Sequence, residues 1–227
     1  MIDVVIPTLM KIDTTSLNYS LCQLFASLHV NKVVIIDNSG TGQFSKKINL
    51  KNDKLEIHEL EANIYVNPAW NLGVSKCISE NVLIMNDDIF CHKHVLTQVS
   101  EVMNDKNVGI CSVDTINCST TEEYITNAGE SHNLETNNVF GNKDNNKTGW
   151  FFCMKRKDWK PLPEDMKLWY GDDLIYRRIR KLGYSTKNIT SSKIGHLVSA
   201  TLHSMPDFHQ IIATDGMLYH KRYFNEF

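Results

Sequence analysis

Short apolar runs separated by polar turns recur along the first half of the chain. Residues 2–6, 32–36 and 82–85 (Ile-Asp-Val-Val-Ile, Lys-Val-Val-Ile-Ile and Val-Leu-Ile-Met) are too short for helices and predict buried strands. Residues 55–60 alternate apolar and polar positions, and 109–113 and 149–154 add two further strands. Residues 14–29 set Leu17, Leu21, Leu24, Phe25 and Leu28 at roughly helical spacing, with residues 14–16 offering caps. A second helix is expected from Asn67 as cap and Pro68 as first helical residue to about Ser79, and a third over 92–104. Pro7 and Thr8 should end the first strand, because proline cannot continue a ladder.

The later chain is less regular. Residues 117–147, rich in Asn, Thr, Glu and Gly, read as loops with at most a short hairpin. A basic helix carrying Arg177, Arg178, Arg180 and Lys181 stops at Gly183, residues 184–189 read as an edge strand, and 201–227 as one helix with a tail. Alternating strands and helices imply an α/β fold with a mainly parallel sheet flanked by helices, in one domain over 1–227. Its expected parts are a ligand-binding half (1–113), a second half (114–200) and the C-terminal helix and tail (201–227).

Composition narrows the classes. The 227 residues can bury a large core, and a net charge of −2 gives no global basic field for nucleic acid. No apolar run approaches bilayer length, the N-terminus lacks a secretory pattern, and the six cysteines have no paired spacing. A cytoplasmic protein with reduced thiols is expected, without stable membrane insertion. The Asn-x-Thr patterns at 146–148 and 188–190 carry no weight in that compartment. Cys91, His92 and His94 lack a second ligand pair at zinc spacing.

The chemistry sits where strands end. Asn86-Asp87-Asp88 closes the strand over 82–85, and two adjacent carboxylates repel unless a divalent cation relieves them. Mg²⁺ and Mn²⁺ prefer such oxygen ligands, although an Asn-Asp-Asp turn is also ordinary turn chemistry. Pro7-Thr8 and Asp37-Asn38 stand at two other strand ends, and ligands of open parallel sheets bind there. Asp172 and Asp173, after Trp169-Tyr170-Gly171, open the basic helix, where the macrodipole stabilises acids.

These stretches together resemble the GT-A glycosyltransferases, in particular the family 2-like group, including compact virus- and phage-encoded members. The match is carried by residues 4–8, 34–40, 67–73, 86–88 and 171–173, and spans roughly residues 2–200. The resemblance implies a metal-dependent, inverting glycosyltransferase using a nucleotide-diphosphate sugar, UDP-hexose by default. It implies Asp88 and His196 as ligands of Mn²⁺ or Mg²⁺, although His196 also reads as an ordinary loop histidine. Pro7, Thr8, Asp37, Asn38, Asn67, Asn71, Asn86 and Asp87 would line the donor site, with capping as the competing role of Asn67. Asp173 or Asp172 would be the base that deprotonates the acceptor. Trp169, Tyr170 and Gly171 would meet the acceptor, with core packing the alternative for the two aromatic rings. The acceptor would be a glycan or a hydroxymethylated DNA base, the latter kept open by the cluster Lys155-Arg156-Lys157. Two departures stand out: the metal motif begins with Asn86, and Asp172 replaces a frequent Glu. The competing classes are a nucleotidyltransferase, for which residues 7–15 lack a Gly-rich basic loop, and a non-catalytic nucleotide- or glycan-binding module.

Overall fold

The computed structural model describes residues 1–11, 14–128, 133–139, 149–197 and 207–223. Its strands are β1 (Ile2–Thr8), β2 (Val30–Asp37), β3 (Leu55–Glu59), β4 (Asn81–Met85), β5 (Ile89–Phe90), β6 (Val108–Asn117), β7 (Thr136–Asn138), β8 (Phe151–Lys155) and β9 (Ser185–His196). The helices are α1 (Thr15–Ala26), α2 (Gln43–Lys47), α3 (Val66–Ser75), α4 (Lys93–Met103), α5 (Thr121–Ala128), α6 (Gly171–Lys181) and α7 (Phe208–Arg222). The strands form one sheet in the order β3-β2-β1-β4-β8-β6-β9-β5, with β7 paired to β9. β1, β2, β3 and β4 run parallel, and β8 is antiparallel to both β4 and β6.

Every residue of β1 is buried, because helices cover both faces of the sheet. Ile2, Val4 and Ile6 join one core layer with Leu17 and Leu21 of α1 and Leu96 and Val99 of α4. Val5 joins the other, with Trp70 of α3, Leu174 and Ile179 of α6, and Tyr219 of α7. Among the described residues no helix is long and apolar enough to cross a membrane.

Several expectations are corrected. Pro7 lies inside β1, paired with Ile36, and the strand runs on to Thr8. The ladder to β4 stops at Val5, so Pro7 is flanked by β2 alone and its missing N–H is tolerated. α3 begins at Val66 behind Tyr65, whose φ is 68°, so Asn67 is inside the helix instead of capping it. Residues 117–147 hold a helix, α5, and the strand β7; 129–132 and 140–147 lie outside the described residues, as does the pattern at 146–148. β9 is not an edge strand of six residues. It pairs with β6 along one side and with β5 and β7 along the other, and His196 is its last residue. The expected C-terminal helix is present as α7, with 201–206 and 224–227 outside the described residues.

One buried acid stabilises the start of the sheet. Asp3 accepts from the Ile78 and Ser79 amides at 2.6 and 2.7 Å, from Ser79 Oγ at 2.7 Å and from Asn31 Nδ2 at 2.9 Å. Burial pushes its pKa up, but the hydrogen bonds from Ser79, Asn31 and Ile78 outweigh that and hold it below the ordinary carboxylate value. The depressed folded value makes the stabilisation full above the unfolded pKa and lost as pH falls through the folded one. Asp3→Asn should therefore cost about 3 kcal/mol in urea unfolding at pH 7. The gap to wild type should narrow in acid.

Candidate active site

β1 outruns its ladder with β4, and the overhang brings Thr8 to the turn after β4. Thr8 Oγ1 donates to Asp87 Oδ2 at 2.5 Å and accepts from the Met10 amide at 2.9 Å. Thr8 is also the register partner of Asp37, and its carbonyl accepts from the Asn38 amide at 2.8 Å. The tips of β1, β2 and β4 thus converge.

α1 stitches the acidic turn in place. Ser16 Oγ donates to the Asp87 carbonyl at 3.2 Å. Ser20 Oγ, one helical turn on, donates to the Ile89 carbonyl at 2.6 Å and accepts from Cys91 N at 2.9 Å. Both serines are fully buried. Sequence reading passed over them; the signal was a pair of hydroxyls four residues apart on the apolar face of α1.

The two aspartates divide their roles. Burial first, and the Asp88 charge second, push the Asp87 carboxyl up to about 7, against the opposing Thr8 bond. A proton on Asp87 relieves the repulsion between the adjacent carboxylates near neutrality. Asp88 Oδ2 lies 3.3 Å from His196 Nε2, while Oδ1 is buried with no hydrogen-bond partner among the described residues. β5 pairs Ile89 with His196, and the Leu197 amide donates to the Asp88 carbonyl at 3.0 Å. His196 stacks on Trp150 at 4.8 Å, and the Trp150 carbonyl accepts from the Asn86 amide at 2.9 Å.

Other expected donor residues hold the scaffold. Asp37 accepts from the Ser39 amide at 2.9 Å and the Phe44 amide at 2.8 Å, so both carboxylate oxygens shape the turn into α2. Asn38 bridges to residues 64 and 65 at 3.4 Å. Asn67 Nδ2 donates to the carbonyls of Met166 and Trp169, at 3.1 and 3.3 Å. Asn71 clasps both backbone groups of Leu162 at 2.8 Å. The two asparagines strap the segment before α6 onto α3, which corrects the capping role expected of Asn67.

That segment delivers the second acidic pair. Tyr170, at φ 62°, turns the chain into α6, with Asp172 and Asp173 half-buried in its first turn. Gly171 is buried against Asn67. Asp172 packs against Gly149, where an added Cβ would fall 2.7 Å from Asp172 Oδ2. Gly149 precedes Trp150, so the pair on α6 and the Asp88–His196 pair flank one short stretch of chain. Trp169 is 42 % exposed, and Tyr170 stacks on Tyr219 of α7 at 4.8 Å.

Lys155 and Arg156 of the basic cluster bond to the fold. Lys155 is buried and donates to the Lys106 carbonyl at 2.6 Å, and Arg156 Nε donates to the Ser79 carbonyl at 2.8 Å. Arg178 donates to the Lys160 carbonyl at 2.8 Å, and Arg177 lies over the Tyr219 ring at 5.3 Å.

The profile of glycosyl transferase family 2 matches residues 3–161, more than half of the chain. The chain belongs to glycosyl transferase family 2. A search of curated protein sequences gives no match. Among solved structures, GalNAc-T7 with UDP, GalNAc and Mn²⁺ is similar at a TM-score of 0.61 and 13% identity, over 86% of this chain and 42% of that one. Staphylococcus aureus TarS (1-349) in complex with UDP-GlcNAc is similar at 0.62 and 15% identity, over 96% of this chain and 66% of that one. The family 2 chain described here therefore spans less than half of the GalNAc-T7 structure and under two thirds of the TarS complex. The fold is GT-A, as the resemblance implied.

A divalent cation fits the residues present. Asp88 offers a buried oxygen without a partner and His196 an imidazole nitrogen beside the other oxygen, a donor set suited to Mn²⁺. No group of three or more such side chains converges among the described residues. The remaining positions of a cation would fall to donor phosphate oxygens and water.

Proposed function

We propose that this family 2 protein transfers a hexose from a UDP-sugar to a hydroxyl of a glycan-class acceptor, with inversion. One observation carries the reading: Thr8, Asp87 and Asp88 meet at the strand tips, and Asp88 keeps a buried oxygen beside His196 that has no partner among the described residues. Asp88 and His196 would hold a divalent cation, which when bound neutralises charge on a departing diphosphate. Thr8 and Asp87 shape the wall beside it, Pro7 and Asn86 border that wall, and Asp37 and Asn38 fix the turn against which a nucleoside rests. Asp173 takes the acceptor proton, and Asp172 orients the helix start against Gly149. The exposed Trp169 ring supplies a stacking face for a sugar. A glycan acceptor is favoured over DNA because Lys155 and Arg156 are occupied by backbone carbonyls.

Thermal-shift measurements against the nucleoside diphosphates, with and without Mn²⁺, test the donor site. UDP at a hundred times its Kd should stabilise by about 2.7 kcal/mol, a rise of about 5–10 °C in Tm, and only with the metal. The same rise without metal would remove the cation from the reading. No rise with any diphosphate would overturn it.

A further inference from the structure

Asp215 stands in the middle of α7, where aspartate is a poor helix former, and is 1 % exposed. Burying a carboxylate is costly unless its oxygens are fully bonded. Asp215 Oδ1 accepts from the Lys167 amide at 2.9 Å, and Oδ2 from the Leu168 and Trp169 amides at 2.7 and 2.8 Å. Each of these bonds goes to the segment that leads into the acidic pair of α6.

The same segment is gripped from the other side. The Asn67 amide donates to the Lys167 carbonyl at 3.0 Å, and Asn67 Nδ2 reaches the Trp169 carbonyl. The backbone of Trp169 is thus tied at both its N–H and its C=O, under a ring that faces solvent. Tyr170 follows at φ 62°, its ring on Tyr219 and close above Gly216, where an added Cβ would fall 3.3 Å from the ring. Three residues of α7 within little more than one turn therefore seat the four residues before Gly171.

We propose that Asp215 is a positioning residue for sugar transfer. It holds residues 167–170 in register and thereby aims the Asp172–Asp173 pair and the Trp169 ring at the acceptor. The proposal rests on the transferase reading above. A base displaced by even an ångström loses much of its effect, and residues 167–169 belong to no helix or strand that would fix them otherwise.

Asp215→Asn keeps the shape but offers one acceptor oxygen, so at least one of the three amides loses its partner. Hydrogen exchange at residues 167–169 should then quicken about tenfold or more, while β1, β2 and β4 keep their protection. UDP release from UDP-GlcNAc and from UDP-glucose with Mn²⁺, with water as the acceptor of the sugar, should show kcat reduced about tenfold or more, with donor KM within about twofold of wild type. If Asp215→Asn fails to fold, Gly216→Ala, which adds one methyl beneath Tyr170, should give the same split with at least about a threefold fall in kcat. An unchanged kcat in an active enzyme overturns the positioning role alone, and so does a donor KM that rises in step with the loss. Wild-type protein that releases no UDP from either sugar and shows no thermal shift with any nucleoside diphosphate overturns the transferase reading, and the positioning role with it.

Discussion

Asp88→Asn should lower sugar transfer by about 10³-fold and remove the Mn²⁺-dependent part of the stabilisation by UDP. Among the described residues, Asp88 has a buried oxygen without a partner and a neighbouring imidazole at the strand tips. An amide there keeps the size and loses the charge, and a neutral oxygen binds a hard cation far less well. The fold should survive, since β5 is joined to the end of β9 through backbone groups, including the Leu197 amide on the Asp88 carbonyl. Unfolding of Asp88→Asn without ligand should therefore stay close to wild type, because the amide keeps the size of the side chain and the backbone bonds around it. His196→Ala should weaken the same metal response about 10–100-fold, because Trp150 and β5 orient the ring but do not replace it. A variant Asp88→Asn that keeps a full Mn²⁺-dependent shift would transfer the metal to other residues and undo the assignment.

The legible part of this molecule was its central sheet. β1, β2 and β4 are buried on both faces, so they are continuous apolar runs, and their polar ends mark the crevice without reference to any distant residue. β9 was misread because its sequence, Ser-Thr-Lys-Asn-Ile-Thr-Ser-Ser-Lys, carries little apolar signal. Its partners β6, β5 and β7 supply the burial, and none can be inferred from local pattern. α5 hid for a similar reason, since Tyr124 is its only fully buried side chain. The roles of Asn67 and Asn71 depend on backbone groups about a hundred residues on, so turn and cap chemistry was the sole local explanation available. Asp37 shows the converse. Its place at a strand tip was readable, but its two bonds to the turn amides appear only once α2 is known.

Asp173→Asn should reduce kcat by about 10²–10⁴-fold while the UDP and Mn²⁺ thermal shift stays at its wild-type size. Asp172→Asn should cost less. The two carboxylates share the first turn of α6, but successive residues are turned by about 100° around a helix axis and cannot face the same way. Asp172 lies against Gly149, next to the Trp150 that stacks on His196, so it is on the side of the metal pair. In the inverting transfer proposed above, the base stands on the acceptor side of the anomeric carbon, away from the departing diphosphate, which favours Asp173 as the proposed base. Gly149→Ala provides an independent check, since its methyl would collide with Asp172 at 2.7 Å and displace that carboxylate without touching its chemistry. If Gly149→Ala and Asp172→Asn both abolish turnover while Asp173→Asn retains it, the base is Asp172 and the geometry argued for α6 is reversed.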